Sequence, residues 1–231
     1  LGWFNGVIDV DPDLTSSVTL GFSSNTKRTF IAKYNSNGDY VWAFELYNSV
    51  GISTFSAFDV DNNGNIYIGG NVYGSIALDP NGFQSPVVGN GEVFTAKYNT
   101  YGYLLNSNLM SSTSYIAARV IRNDGAGGYY AGGLYQVNID FEPATGLHTD
   151  TSIGYTEGFI AHFNSSSSYL GGWTIKGPGA EEVNAIERRS NGDLFISGIH
   201  DDSSDFALGG STPIYSANAV SDNFYLASYN S

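Results

Sequence analysis

The feature that most constrains this chain is a seven-residue element that returns four times at nearly constant spacing. It reads FIAKYNS (30–36), FTAKYNT (94–100), FIAHFNS (159–165) and YLASYNS (225–231). Its aromatic centres, Tyr34, Tyr98, Phe163 and Tyr229, lie 64, 65 and 66 residues apart. A repeat of this length is one supersecondary unit that cannot bury its apolar face alone and must stack on its neighbours.

Three further elements recur in phase. The first reads AFDVDNNGNIYIGG from Ala57, ARVIRNDGAGGYYAGG from Ala118 and AIERRSNGDLFISG from Ala185. Each is an apolar run, a polar turn and a second apolar run closed by small residues, which is a β-hairpin pattern. Asn63-Gly64 and Asn191-Gly192 supply the positive φ that tight turns need. The next element is VIDVDPD (7–13), SIALDPN (75–81), NIDFEPA (138–144) and the degenerate SDFALGG (204–210). The last is a short strand after the aromatic element: YVWAFEL (40–46), YLLNSNL (103–109) and GGWTIKG (171–177). NSNG (35–38) and NTYG (99–102) join these strands to the aromatic element as turns.

Each unit therefore holds about four short strands and no helical periodicity. The expected fold is all-β: a β-propeller of about four blades, each a four-stranded antiparallel sheet, or a segment of a larger propeller. The units run approximately 1–50, 51–113, 114–179 and 180–231 within one domain, 1–231. Small residues at Ala57, Gly69, Gly70, Ala118, Gly132, Gly133 and Ala185 fit close packing near a central axis. Phe30, Tyr34, Phe94, Tyr98, Phe159, Phe163 and Phe224 fit the space between blades. The first unit lacks its opening strand and the last its closing strand. The leftovers overlap instead of completing one blade, which favours a stretch of a longer array over a four-bladed ring.

Charge excludes several classes of partner. Nine Lys and Arg stand against 22 Asp and Glu, a net charge of −13 with a pI near 4.3. Such a surface repels a phosphate backbone, so nucleic acid is not an expected partner. Anionic membranes are disfavoured likewise, and no apolar run is long enough for membrane insertion. Without cysteine there is no disulfide, thiol catalysis or thiolate metal site. Few lysines with abundant Asn, Ser, Gly and Tyr suit a secreted or cell-surface protein. The sequence opens on Leu1 with neither an initiator Met nor a signal peptide, as expected of a processed product or of part of something longer.

The segments DNNGNIYIGGNVYGSIALDP, IDFEP, FIAKYNSNGDYVW and FTAKYN resemble the SBBP-type β-propeller repeats of bacterial exported and surface proteins, notably of the Bacteroidetes group. The resemblance covers essentially the whole chain and rests on four coincident elements. It implies a secreted or cell-surface scaffold, often part of a larger protein with other modules and a sorting signal. It implies no enzymatic residues. The last two units depart from the pattern: His162 and Ser228 replace its lysine, and SSSSY stands where the Asn-Gly turn belongs.

Several groups have residue types suited to chemistry. Asp59, Asp61, Asn63 and Asn65 alternate as oxygen ligands around Gly64, a pattern that suits calcium, although an EF-hand would need Glu where Gly70 stands. The other reading is a plain hairpin turn. Asp9, Asp11 and Asp13 form either a second calcium-like group or an acidic bend. His200, Asp201, Asp202 and Asp205 suit a divalent metal or an ordinary polar loop. His148 and His162 lack sequence neighbours to work with, and His162 is expected as an exposed strand residue. Asp59 and Glu187 share an inner-strand position two units apart, with Ile121 expected between them. A glycosidase needs such a carboxylate pair. The sialidase Asp-box, the G-x-S-x-G elbow, the P-loop and HExxH are absent. Trp42 and Trp173 are expected at the same blade position, as structural residues. Tyr101, Tyr103, Tyr115, Tyr135 and Tyr155 are irregular and candidates for exposure.

The expected function is a non-catalytic exported scaffold for adhesion or protein–protein interaction. The alternatives are a carbohydrate-binding module and a glycan-active enzyme using Asp59 and Glu187. The expected partners are a protein or a surface polysaccharide, with self-association through open blade edges, and calcium is the one candidate cofactor.

Overall fold

The computed structural model describes residues 1–22, 27–50, 53–82, 84, 86–145, 148–208 and 223–230. The described residues form strands and no helix, so none is long and apolar enough to cross a membrane. The first unit contains β1 (Gly2–Asn5), β2 (Val7–Asp9), β3 (Thr19–Gly21), β4 (Lys27–Tyr34) and β5 (Tyr40–Val50). The second contains β6 (Thr54–Val60), β7 (Ile66–Ala77), β8 (Val87–Tyr98) and β9 (Leu104–Met110). The third contains β10 (Ile116–Asn123), β11 (Tyr129–Tyr135), β12 (Asn138–Asp140), β13 (Thr149–Thr151), β14 (Glu157–Phe163) and β15 (Tyr169–Ile175). The fourth contains β16 (Glu181–Arg188), β17 (Leu194–His200) and β18 (Asn223–Tyr229).

Every strand pairing is antiparallel. The second unit pairs β6-β7-β8-β9 and the third β10-β11-β14-β15, each a four-stranded meander. The first unit pairs β1-β4-β5, and the end of β5 also meets the far end of β7, joining two units into one seven-stranded sheet. The fourth unit pairs β16-β17-β18. The small hairpins β2-β3 and β12-β13 project from the first and third units, and the extended far ends of β7 and β8 take that place in the second. Among the described residues no strand pairing links the fourth unit to the first.

The six tight turns share one geometry. In each, the residue before the loop donates its N–H four residues ahead, as in Asp61 N to Asn65 O (3.0 Å), and in all but the Asp124 turn it also accepts an N–H from three ahead, as in Gly64 N to Asp61 O (2.9 Å). This is a three-residue hairpin loop with a left-handed residue closing it. Glycine fills that place at Gly38, Gly64, Gly102, Gly127 and Gly192, and Ser167 fills it in the third unit with φ 60°. Asn63 is not left-handed, so the loop is not the two-residue Asn-Gly turn that the sequence suggests; the glycine alone carries the positive φ.

The core lies between units, sheet face against sheet face. Ile31 and Leu46, with Trp42 and Phe44, pack on Ile66, Ile68, Val72, Phe94, Ala96 and Tyr98. Tyr67, Val93 and Met110 pack on Ile116, Tyr129, Tyr135, Phe159 and Phe163 of the next unit. Ile160 and Ile175 pack on Val183, Ile186, Ile196 and Tyr225. Each fully buried side chain of this size stabilises by roughly 1.5–3 kcal/mol.

Three register expectations need correction. Tyr225, not Phe224, takes the place of Phe30, Phe94 and Phe159; Phe224 is 87% exposed. Trp173 lies opposite Ile160 and so matches Phe44, whereas Trp42 lies opposite Lys33. The glycine pair is explained by a bulge. Each inner strand carries an extra residue (Ser56, Arg119, Asn184), and a Cβ at Gly70, Gly133 or Gly198 would stand 1.9 Å from the carbonyl oxygen of Thr54, Ala117 or Glu182. Ala57 and Ala118 are buried as expected, but Ala185 is exposed.

Candidate functional site

The recurring Lys-Tyr-Asn element is fully engaged in bonding. Lys33 Nζ donates to the carbonyl oxygen (2.9 Å) and hydroxyl (2.6 Å) of Thr100 in the next unit's turn. Lys97 Nζ donates to the carbonyls of Gly127 (2.7 Å) and Ser165 (2.9 Å), again one unit ahead. Burial lowers the Lys97 ammonium below its ordinary value, while Asp61 and Asp124 oppose that shift. The tyrosine hydroxyls tie down the acidic bend: Tyr34 to Val10 O, Tyr98 to Leu78 O and Tyr229 to Phe206 O. The asparagine accepts two backbone N–H groups of its own turn, as Asn35, Asn99 and Asn164 all do. His162, in the lysine position, is neither isolated nor exposed. It stacks on Tyr130 and bonds Asp124 of its own unit at 3.1 Å, so no side chain from this position reaches the fourth unit's turns. His148 likewise has a partner, Glu142 Oε2 at 3.2 Å.

The inner strands carry a ladder of charge. Counting from the bulges, Asp59, Arg122 and Glu187 occupy one position in three successive units. The residue between the two carboxylates is therefore Arg122 and not Ile121. Arg122 Nη1 lies 3.2 Å from Asp59 Oδ1, and Nη2 lies 2.8 Å from Glu187 Oε1. The second oxygen of Asp59 accepts the backbone (2.7 Å) and side-chain (2.6 Å) N–H groups of Asn123. One guanidinium thus bridges the two carboxylates across three units.

The Asp59–Asn65 segment divides between two jobs. Asp61 accepts Asn63 N, Asn65 N, Asn65 Nδ2 and the Tyr67 hydroxyl. Burial alone would raise its pKa, but those bonds hold it below the usual carboxylate range. Asp59 turns instead to Arg122 and Asn123. The structure brings Asp61 and Asn65 together and directs Asp59 elsewhere. In the acidic bend, Asp9, Asp11 and Asp13 each accept the N–H two residues ahead, a run of Asx turns. His200 is buried, with Nδ1 3.2 Å from the Ser204 hydroxyl and its ring against Phe206 and Tyr225. Among the described residues no three His, Asp or Glu side chains group as a metal cage.

The sequence gives no sign of a second acidic pair, and this one is buried. Glu157 and Glu181 are both fully buried where the third and fourth units meet. Glu157 accepts the backbone N–H groups of Ile153 (2.6 Å), Gly154 (2.8 Å) and Gly177 (3.1 Å). Ser204 donates to Glu181 at 2.8 Å. Burial pushes Glu181 up to about 8; the Ser204 bond restrains the rise and the Glu157 charge adds to it. The irregular tyrosines divide: Tyr101, Tyr103, Tyr115 and Tyr155 are exposed, while Tyr135 is buried.

These features define an all-β protein of stacked antiparallel units, held together by lysine and arginine bridges from unit to unit. No family model matches the chain, and no curated protein matches it.

Proposed function

We propose that this chain is a β-propeller or a stretch of one, of the SBBP-type repeat pattern, and that it acts as a non-catalytic exported or cell-surface scaffold for adhesion or protein–protein interaction. One observation carries this reading: the residues best suited to chemistry are engaged in joining units. Arg122 neutralises Asp59 and Glu187, the one carboxylate pair that the repeats bring into phase. A glycosidase needs both carboxyl groups turned to the substrate, and here one guanidinium lies against both of them. Polysaccharide depolymerisation that disappears in both Asp59→Asn and Glu187→Gln would overturn the proposal. Retention of a polysaccharide without turnover would point to the carbohydrate-binding alternative.

In this reading the Asp61 loop is a capped turn. Its carboxylate already accepts three hydrogen bonds from within the loop and a fourth from Tyr67 on β7. Treatment with a chelator is expected to leave the melting temperature unchanged. A fall that added calcium reverses would assign the loop, or the Asp9–Asp13 bend, to the cation instead.

A further inference from the structure

The third and fourth units are joined differently from the units before them. Lys33 and Lys97 each reach forward to carbonyl groups in the next unit's turns, whereas His162 in that position bonds Asp124 of its own unit. Two ion pairs cross from the third unit to the fourth, Arg119–Glu182 at 3.5 Å and Arg122–Glu187 at 2.8 Å. Both are open to solvent, where such pairs contribute little. The apolar contact of Ile160 and Ile175 with Val183, Ile186, Ile196 and Tyr225 holds the two units together.

Beside that contact lie two acids. Glu157 opens β14 and Glu181 opens β16, and neither is exposed at all. Their carboxyl groups are in hydrogen-bond contact, which two carboxylates make only with a proton between them. The other partners say which group carries it. Glu157 accepts three backbone N–H groups, from Ile153, Gly154 and Gly177, and each favours its charged form. Glu181 receives one hydroxyl, from Ser204, and its Oε2 meets no N–H or O–H donor among the described residues. A buried carboxylate oxygen without a donor is costly, and the neutral acid avoids that cost. The proton therefore sits on Glu181 and is donated to Glu157. The other titratable groups facing the pair are Asp201 after β17, Tyr225 on β18, Tyr135 on β11 and His200, which meets Glu181 through the Ser204 hydroxyl. Lys176, the nearest base along the chain, turns away to Asp150 at 2.5 Å.

We propose that this shared proton is a latch: while Glu181 holds it, β16, β17 and β18 stay docked on the third unit, and its loss releases them together while the earlier units stay folded. Loss of the proton leaves two like charges in contact in a dry interface, and undocking lets water reach both. It also uncovers Ile160 and Ile175, so a rise in pH becomes an exposed apolar face. The docked junction holds one proton more than the released one. Burial pushes docked Glu181 up to about 8, against 4.5 when free, so release grows about tenfold per pH unit between those values and levels off above them. The inference rests on the buried pair and not on the adhesion reading, so the two fail separately.

The test is hydrogen exchange on the full chain from about pH 6 to 9, with rates corrected for the intrinsic pH dependence of amide exchange. Protection of β17 and β18 is expected to fall about tenfold per pH unit up to about 8 and to level off beyond it. Protection of β7 and β8 in the second unit is expected to stay constant. Glu181→Gln keeps a neutral donor beside Glu157 and should flatten the fall in β17 and β18. Ser204→Ala is a second variant that does not depend on the first. It removes the one hydroxyl that favours charged Glu181, so the levelling-off should move to higher pH. Four outcomes would overturn the inference: protection of β17 and β18 that does not change with pH, an unchanged slope in Glu181→Gln, an unmoved levelling-off in Ser204→Ala, or an equal fall in β7 and β8, which would show the whole chain unfolding together.

Discussion

Two positions show how much one atom weighs in this fold. A Cβ on Gly70 would stand 1.9 Å from Thr54 O, and the bulge at Ser56 fixes that carbonyl. Backbone cannot yield as a side-chain tip does. Gly70→Ala is expected to destabilise the protein by roughly 2–4 kcal/mol, read as a lower denaturation midpoint. Ser167 is the opposite case. It holds the left-handed position that glycine fills in the five other turns, and a non-glycine residue there costs about 1–2 kcal/mol. Ser167→Gly relieves that strain, partly offset by the added freedom of the unfolded chain. A gain of up to about 1 kcal/mol in urea unfolding is the expected result. A loss would mean that the serine side chain contributes more than its backbone costs. The sequence marks both sites, one as a repeated glycine pair and the other as the unit where the Asn-Gly turn fails. It does not reveal the reason, because the facing carbonyl comes from a bulge that no residue type announces.

At the scale of strands and turns, hairpins were legible wherever Asn and Gly recur in phase. Register was not. A bulge adds a residue without changing composition, so Ile121 stands where alignment expects the partner of Asp59 while Arg122 occupies the place. Counting back from the glycine pair through the turn would have found it. The buried pair of Glu157 and Glu181 was hidden for another reason: the two lie on β14 and β16, and only packing of the third unit on the fourth brings them together. That junction is expected to be sensitive to pH. The folded-state pKa of Glu181 is near 8, well above its unfolded value, so the native state holds a proton that the unfolded chain has released. Stability from this group is complete below the unfolded value and falls as pH rises through the window up to about 8. Glu181→Gln keeps a neutral group in place and removes the titration. Its melting temperature is expected to match that of the parent at or below the unfolded value of 4.5 and to exceed it increasingly as pH rises toward 8. Parallel melting curves across that range would place the proton elsewhere.

For the whole molecule, the repeat predicts that each unit needs a neighbour, and the structure shows the consequence at the fourth unit. Val93 and Thr95 of the second unit and Ile160 of the third are buried beneath the unit that follows. The matching positions in the fourth unit are Phe224 and Leu226, 87% and 75% exposed, beside the partly buried Phe195 and Ile199. An apolar sheet face open to water drives association. The first unit offers a complementary surface in Phe30, Ala32 and Tyr34, whose counterparts Phe94, Ala96 and Tyr98 are buried in the second unit. The net charge of −13 opposes contact between copies, and salt screens that repulsion over about 8–10 Å at physiological ionic strength. The chain is therefore expected to sediment near its 24.7 kDa mass in dilute low-salt buffer and to associate as salt and concentration rise. The double variant Phe224→Ser with Leu226→Ser alters exposed side chains and is expected to melt as the parent does and to remain monomeric under both conditions. Ala32→Glu is expected to do the same from the other end. An equimolar mixture of the two variants retains one intact copy of each surface, so head-to-tail contact permits a dimer and nothing larger. Association of the parent that survives Ala32→Glu would show the fourth units meeting each other, and a parent that stays monomeric at high salt would show that this face is not adhesive.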